Sequence, residues 1–416
     1  MPDQQKTIAI IGAGIVGVAT AIWLQRDGHK VILIDKVGPA AGTSYGNAGL
    51  LASAAVVPVT VPGTLAKAPA MLLDPDQPLF LKWRYLPRLL PWLVKYLRHS
   101  TVDETKRIAA ALYEITGDSV ADHLALAAGT DAAKYIVPCD YSFVYANRKA
   151  FEKDAFGWGI RRDLGFTWTE LEGDAFHADD PAFGPDQNFA VQIPNHGRIT
   201  DPGAYVTALA DHFRDQGGDL VIAEVKDIIR DGNRVTGVRT NGKVIACDAA
   251  VLTSGVWSGP LAKKLGVNVP LESERGYHVE LWNPSFIPKN PSMIAAGKFV
   301  ATPMDGRLRL AGIVEFGGLA APPSKAPVEL LLRHARAAFP GLTWDKATEW
   351  MGHRPSTDDS LPVIGEAPDV RGAYLGFGHQ HIGLTAGPKT GRLLAQLISG
   401  RMPNVDLTPY SPARYQ

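Results

Sequence analysis

The chain has 416 residues and a mass of 44.7 kDa, enough for two or three structural units at roughly 150 residues each. Hydrophobic residues make up 46% and charged residues 20%, the balance of a folded globular protein, which excludes disorder over the chain as a whole. The 42 basic and 42 acidic residues cancel, so there is no global field for nucleic acid, and Cys139 and Cys247 form no CxxC, which speaks against a disulfide framework and a cysteine zinc site.

The N-terminus runs straight into an apolar stretch without a basic, cleavable leader, so no signal peptide is expected. Residues 7–11 read as a buried strand, 15–27 as a helix ending near Gly28, and 31–35 as a second strand. Continuous apolar strands of this kind belong in a parallel sheet. Residues 50–73 are apolar but broken by Pro58, Pro62, Gly63 and Pro69, so they read as loop or short strands and not as a membrane span. Residues 77–102 carry Lys82, Arg84, Arg88, Lys95 and Arg98 among Phe80, Trp83, Tyr85, Trp92 and Tyr96, with no acid before Asp103. That pattern fits a membrane interface. The favoured reading is a helix packed on its own domain with its basic ends in water, because Pro87 and Pro91 interrupt a long interfacial helix.

Residues 104–130 read as helical and 135–146 as a strand. A helix over 201–217 opens on Asp201-Pro202. Three short strands follow, 220–225, 234–240 and 243–248, separated by Asp231-Gly232-Asn233 and Asn241-Gly242. A buried run at 249–253 ends at Ser254-Gly255. From 271 to 316 polar and apolar residues alternate, as in an antiparallel sheet. Residues 329–339 are helical, and a strand at 373–377 leads through a glycine-rich turn into a helix to about 399. The expected fold is therefore α/β. A Rossmann-type domain is assembled from residues 1–60, 195–265 and 350–416. A second, α+β domain on an antiparallel sheet comes from 61–194 and 266–349.

Residues 12–17 read Gly-Ala-Gly-Ile-Val-Gly. Alone, GxGxxG is weak. Here it follows a strand, opens a helix and precedes a strand ending in Asp35, 18 residues after Gly17. Gly12 permits the tight turn, Gly14 lets the backbone approach a pyrophosphate, and Gly17 lets helix and strand pack closely. The helix start, with Ile15 and Val16, stabilises the phosphate charge. Asp35 would accept a ribose hydroxyl. The fingerprint does not separate NAD from FAD. Two features favour FAD. The motif is N-terminal with no second copy, and the tail Gly376-Phe377-Gly378-His379-Gln380-His381-Ile382-Gly383-Leu384-Thr385 again takes a strand into a helix start. A helix start there suits the negative charge of a reduced flavin.

At this point the sequence resembles a known family, the FAD-dependent D-amino-acid oxidase superfamily, and within it the bacterial D-amino-acid dehydrogenases. The similarity rests on the N-terminal fingerprint and on Gly42-Thr43-Ser44-Tyr45-Gly46-Asn47-Ala48-Gly49-Leu50. It rests further on Val251 to Ser258, Arg275-Gly276-Tyr277-His278, Gly352-His353-Arg354-Pro355, and the glycine-rich tail. It implies a two-domain flavoprotein that oxidises a C–N bond next to a carboxylate. FAD would be held non-covalently, with contacts from the fingerprint residues, Asp35, Lys36, Ser44, Asn47, Ala48, Gly49, Leu50, Val225, Ser254, Gly255, Gly378, His379, Ile382, Gly383, Leu384 and Thr385. The His379-Gln380-His381 tail departs from the commoner single-histidine form.

The implied chemistry needs an anchor for the substrate carboxylate, and a planar guanidinium provides two parallel hydrogen bonds. Arg354 is the expected anchor, against a structural salt bridge to Asp358 or Asp359. Tyr277 is expected to add a hydroxyl, against plain sheet packing. Arg275 is expected as a second carboxylate contact, an entrance charge or a solvated rim residue. His379 is expected to tune flavin charge or handle the amine proton, and His381 to pack or hydrogen-bond. Tyr45 and His353 are weaker candidates. His-x-His without a carboxylate is a poor metal motif, so no metal is expected.

The expected function is oxidation of a D-amino acid, cyclic ones such as D-proline or 4-hydroxy-D-proline included, by hydride transfer from Cα. The electrons would pass to a quinone or other carrier. The alternatives are an oxygen-using oxidase of the glycine or sarcosine type, an NAD(P)-dependent dehydrogenase, or a non-catalytic flavin-binding subunit. The expected location is the cytoplasm, with contact at the inner face of the membrane as the less favoured reading.

Overall fold

The structure is a computed structural model that describes residues 5–63, 74 and 76–416. The expected loop over 64–73 lies outside the described residues. A six-stranded sheet runs in the order Val363–Glu366, Ala373–Phe377, Ala249–Leu252, Thr7–Ile11, Lys30–Asp35, Asp219–Ile222. Its neighbours are parallel except at the Val363–Glu366 edge. Helices Ile15–Arg26 and Gly383–Ile398 pack together on one face. A three-stranded sheet, Val225–Asp231, Arg234–Thr240 and Val244–Ala246, closes the other. Covered on both faces, Ile8, Ala9 and Ile10 are fully buried, which is why these strands read as unbroken apolar runs.

The strand expected over 220–225 is in fact the ends of two strands. Asp219–Ile222 completes the parallel sheet, and Val225–Asp231 opens the three-stranded one. The break falls at Ala223, whose N–H donates to the Asp35 carbonyl, and Glu224, whose carbonyl accepts from Asn241. No glycine or proline marks it.

The second sheet has ten strands. Its path is Lys346–Thr357, Leu271–Trp282, Arg307–Phe316, Phe299–Met304, Ser292–Ile294, Ile136–Tyr145, Phe189–Ile199, Leu50–Leu51, with Leu79–Leu81 and Thr169–Glu172 added at the side. Most pairs are antiparallel, but two are parallel. The expected divides at 195 and 350 fall inside Phe189–Ile199 and Lys346–Thr357.

The segment 77–102, expected as a helix packed on its own domain, holds strand Leu79–Leu81 and helix Leu86–Arg98, which Pro91 does not end. The helix starts with Pro87 in its first turn and runs on through Pro91. Leu89, Trp92 and Tyr96 form its buried stripe against Phe316, while Trp83, Leu90 and Val94 face outward. Among the described residues no helix is long and apolar enough to cross a membrane.

Several histidines are sealed in. His123 Nε2 donates to the Leu384 carbonyl (2.9 Å) and Nδ1 accepts from the Tyr205 hydroxyl (2.8 Å), which fixes one neutral tautomer. Burial pushes His123 and His196 down from 6.5 to about 4. The unfolded chain takes up those protons at higher pH than the fold does, so the fold loses stability as pH falls from 6.5 towards 4. The thermal midpoint is expected to drop across that window, less steeply in His123→Gln. A midpoint flat from pH 6.5 to 4.5 contradicts this.

Candidate active site

The parallel pairing of Ala249–Leu252 with Thr7–Ile11 sets two turns side by side. Gly12 has φ +113°, and a Cβ there would stand 2.6 Å from the Thr253 carbonyl oxygen, so only glycine fits the turn. Thr253 Oγ1 and Ser254 Oγ donate to the Ile11 carbonyl at 3.1 and 2.9 Å, which locks Ser254-Gly255 beside it. Asp35 ends its strand by accepting from the N–H groups of Ala13 (2.9 Å), Val37 (2.8 Å) and Gly38 (3.0 Å). Lys36 Nζ lies 4.2 Å from the centre of the Trp257 ring. Val225 packs below, in the same apolar cluster as Ile34.

Helices Ile15–Arg26 and Gly383–Ile398 each begin with no side-chain cap and no acid in the first turn. Both starts leave N–H donors and the positive end of the dipole for an anion. The loop through Ser44 to Leu50 lies between them. Ser44 Oγ accepts from Ile15 N (2.9 Å). Thr385 Oγ1 stands between the Leu50 carbonyl (3.3 Å) and the Ala52 N–H (3.4 Å). Asn47 holds the loop to itself, donating to Ser44 O (2.8 Å) and accepting from Gly49 N (2.8 Å). Ala48 and Leu50 border an apolar cluster with Ala52, Tyr141 and Val300. Two uncapped helix starts and a glycine-permitted turn, beside an apolar floor, fit a dinucleotide whose second half is an aromatic ring.

The ten-stranded sheet roofs this floor. Strand Leu271–Trp282 alternates, and its even positions Glu272, Glu274, Gly276, His278 and Glu280 share one face. All are buried. Arg354 pairs across from Glu274 and lies over Gly276, where a Cβ would come within 2.5 Å of Cζ. Its Nη1 and Nη2 donate to the carbonyls of Ile313 (3.2 Å) and Gly312 (2.9 Å). A β-bulge at this point, with Ile313 at φ +43°, aims both carbonyls at the guanidinium. Burial lowers the Arg354 pKa, opposed by Glu274. The alternative of a salt bridge to Asp358 or Asp359 is not formed: Asp359 takes Arg414 and Asp358 takes the Tyr415 hydroxyl.

Further along the same face Glu280 Oε1 accepts from Arg309 Nη2 (2.7 Å) and Arg307 Nε (2.6 Å). Arg309 Nη1 reaches the carbonyls of Tyr45 (3.0 Å) and Asn47 (2.6 Å), and His278 Nδ1 reaches the Gly46 carbonyl (2.9 Å). The roof thus grips the loop on the floor. Burial alone would raise the Glu280 carboxyl, but Arg309 and Arg307 bring it below its ordinary value. Burial, with Arg309 adding to it, pushes His278 down to about 4. Tyr45 sets its ring edge-on to Trp350.

Arg275 and Tyr277 are odd-numbered and point away from Arg354. Arg275 is no rim residue: it is fully buried, 2.9 Å from Glu315, with Nη2 on the Pro322 carbonyl (2.7 Å). The Tyr277 hydroxyl donates to the same Glu315 (2.6 Å) and accepts from Ser324 N (2.9 Å). Both belong to a polar cluster behind the roof, and neither can join Arg354 on one ligand. His379 is buried, with Nε2 on Thr390 Oγ1 (2.9 Å), and burial pushes it to about 4. His353 bonds Ser273 through Nδ1. His381, expected to pack or hydrogen-bond, is exposed, and among the described residues its ring makes no hydrogen bond. Among the described residues no group of three or more His, Cys, Asp or Glu is placed to hold a metal ion.

The sequence reading missed Glu274, His278, Glu280, Arg309 and Tyr141. The first three were visible as the polar half of an alternating strand. Arg309 had no local signal, since it acts on carbonyls more than 260 residues away.

A family model described as "FAD dependent oxidoreductase" matches residues 7–397. The chain is 41% identical to a D-amino-acid oxidase of Bradyrhizobium diazoefficiens, over 100% of both chains. It is 31% identical to D-amino acid dehydrogenase 2 of Ralstonia nicotianae, over 98% of this chain and 100% of that one. Among solved structures it is similar to the glycine oxidase of Geobacillus kaustophilus, with a TM-score of 0.76, 23% identity and 99% of each chain covered.

Gly276→Ala is expected to leave the fold intact and push the Arg354 guanidinium off its carbonyls. Binding of a small carboxylate should weaken about tenfold or more, the worth of one charge-assisted bond. Unchanged binding would show that Arg354 is not the anchor. Glu280→Gln leaves the buried Arg309 guanidinium without its counter-charge, while Arg307 keeps Asp201, and should lower stability by about 3 kcal/mol. An unshifted thermal midpoint contradicts that.

Proposed function

The chain belongs to the family of FAD-dependent oxidoreductases, and from that premise we propose that it oxidises D-amino acids at the C–N bond beside the carboxylate. The observation that carries the reading is Arg354. Its guanidinium is pre-oriented on two carbonyls and, among the described residues, has no carboxylate at ion-pair distance; the same sheet sends Arg309 and His278 to the loop carbonyls of the floor. The D configuration is supported by the two relatives named above, at 41% and 31% identity.

Bound FAD supplies the hydride acceptor. Its pyrophosphate would lie at the start of Ile15–Arg26, and its ribose hydroxyls at Asp35. The start of Gly383–Ile398 would stabilise negative charge at the far end of the ring. Arg354 fixes the substrate carboxylate, which sets where Cα stands. The wall of Leu50, Ala52, Tyr141 and Val300 then receives the side chain. It is apolar, so uncharged side chains are favoured, D-proline and 4-hydroxy-D-proline among them.

The proposed acceptor is a quinone or similar carrier. The outward residues Trp83, Leu90 and Val94 beside Arg88 and Lys95 support contact at a membrane surface. A second reading, reoxidation by oxygen, is favoured by the relative named an oxidase.

The test mixes the yellow protein without air with D- and L-amino acids, sarcosine and glycine. Bleaching by D forms and not by their L forms is expected. No bleaching by any D-amino acid overturns the proposal, and the speed of colour return in air separates carrier from oxygen. Arg354→Lys keeps the charge but loses the fork. It should lower kcat/KM about a hundredfold, and a loss under threefold would displace Arg354 from its role.

A further inference from the structure

The polar group least explained by the account so far is His381. Its neighbours Gln380 and Ile382 are buried at 7% and 3% exposure, while His381 is exposed. The backbone is bent to make this so. Gln380 adopts φ +47°, a conformation uncommon outside glycine. Three contacts hold it there. Gln380 N donates to the Pro355 carbonyl (3.0 Å), Ile382 N donates to the His379 carbonyl (2.9 Å), and His379 bridges to Ser356. Pro355 follows Arg354 directly, so the bend ties the turn carrying His381 to the strand that carries the guanidinium. Strain held by its surroundings gathers at functional positions.

His381 sits two residues before the start of Gly383–Ile398, on a turn that the Gln380–Pro355 bond ties to the strand carrying Arg354. That places its exposed ring where the helix start and this strand meet, and the surrounding protein, with the Arg354 guanidinium second, pushes the imidazole down to about 4. Among the described residues its ring makes no hydrogen bond or ion pair. It stands at the site as a neutral ring with one donor and one acceptor unspent.

We propose that His381 is the amine-side contact of the substrate, its imidazole nitrogen accepting a hydrogen bond from the amino group while Arg354 holds the carboxylate. The inference rests on the functional reading above. In an α-amino acid the two groups share one carbon, so two side chains side by side can take one each. A neutral acceptor suits this chemistry. A carboxylate there would stabilise the ammonium form and oppose the proton loss that must precede oxidation, whereas imidazole binds the nitrogen without that charge.

The test separates amine from carboxylate recognition. Dissociation constants are measured on the flavin-loaded protein for benzoate, which has a carboxylate and no amine, and for the fastest D-amino acid of the panel. His381→Leu should weaken the amino acid tenfold or more and benzoate by less than twofold, and His381→Asn, which restores an acceptor, should recover most of the loss. Equal weakening of both ligands overturns the proposal, as does unchanged amino-acid binding. The alanine variant carries the same comparison if the leucine variant loses its flavin. An unmodified protein that no D-amino acid reduces sinks the functional reading instead, a result distinct from either.

Discussion

The buried contact between Glu280 and Arg309 joins the two halves of the site. Glu280 belongs to the roof, and Arg309 passes its charge on to the carbonyls of Tyr45 and Asn47 in the floor loop. A buried ion pair is weak evidence for stability, because desolvation cancels much of the Coulomb attraction. Its value here is positional. One guanidinium reads the carboxylate with two nitrogens and two backbone carbonyls with the third, so the loop cannot shift without breaking several charge-assisted bonds together. His278 adds a bond to Gly46 between them. The height of roof over floor, and hence the distance from Arg354 to whatever lies on the floor, follows from this contact.

The same face shows what the roof is for. In an antiparallel sheet with one solvated side, polar alternation marks the wet face. Here Glu272, Glu274, His278 and Glu280 alternate with Tyr277, Val279 and Leu281, yet both sets are buried. A buried polar face needs partners, and this one finds them in Arg354, Arg309, the Tyr85 hydroxyl on Glu272 and the loop carbonyls. The apolar face meets helix Ala326–Ala338 in the ordinary way.

Much of this was legible in the sequence where the signal was local. The fingerprint from Gly12 to Gly17, Asp35 and the tail into Gly383 each carry strand, turn and helix start within a few residues. Arg354 stood out for another reason, the Gly352-His353-Arg354-Pro355 segment that carries the resemblance, and its role as anchor is the proposal made above. The errors came where function depends on which side of a strand a residue faces. Arg275 and Tyr277 sit one residue either side of Gly276, and that step sends them behind the roof, to Glu315. No local pattern tells which half of an alternating strand meets the floor. Arg309 was invisible because its partners are remote in sequence. Pro91 sits inside Leu86–Arg98 without breaking it because packing of Leu89, Trp92 and Tyr96 on Phe316 outweighs one lost hydrogen bond.

The central claim is that the even-numbered face of Leu271–Trp282, with Arg354 upon it, covers the flavin and holds the substrate carboxylate. A crystal structure of the flavin-loaded protein with benzoate tests it most directly. The account predicts the benzoate carboxylate on Arg354 at about 3 Å, with its ring between the flavin and the wall of Leu50, Tyr141 and Val300. Benzoate bound at Arg275 and Tyr277, or a flavin ring lying on the opposite face of the sheet, would contradict it.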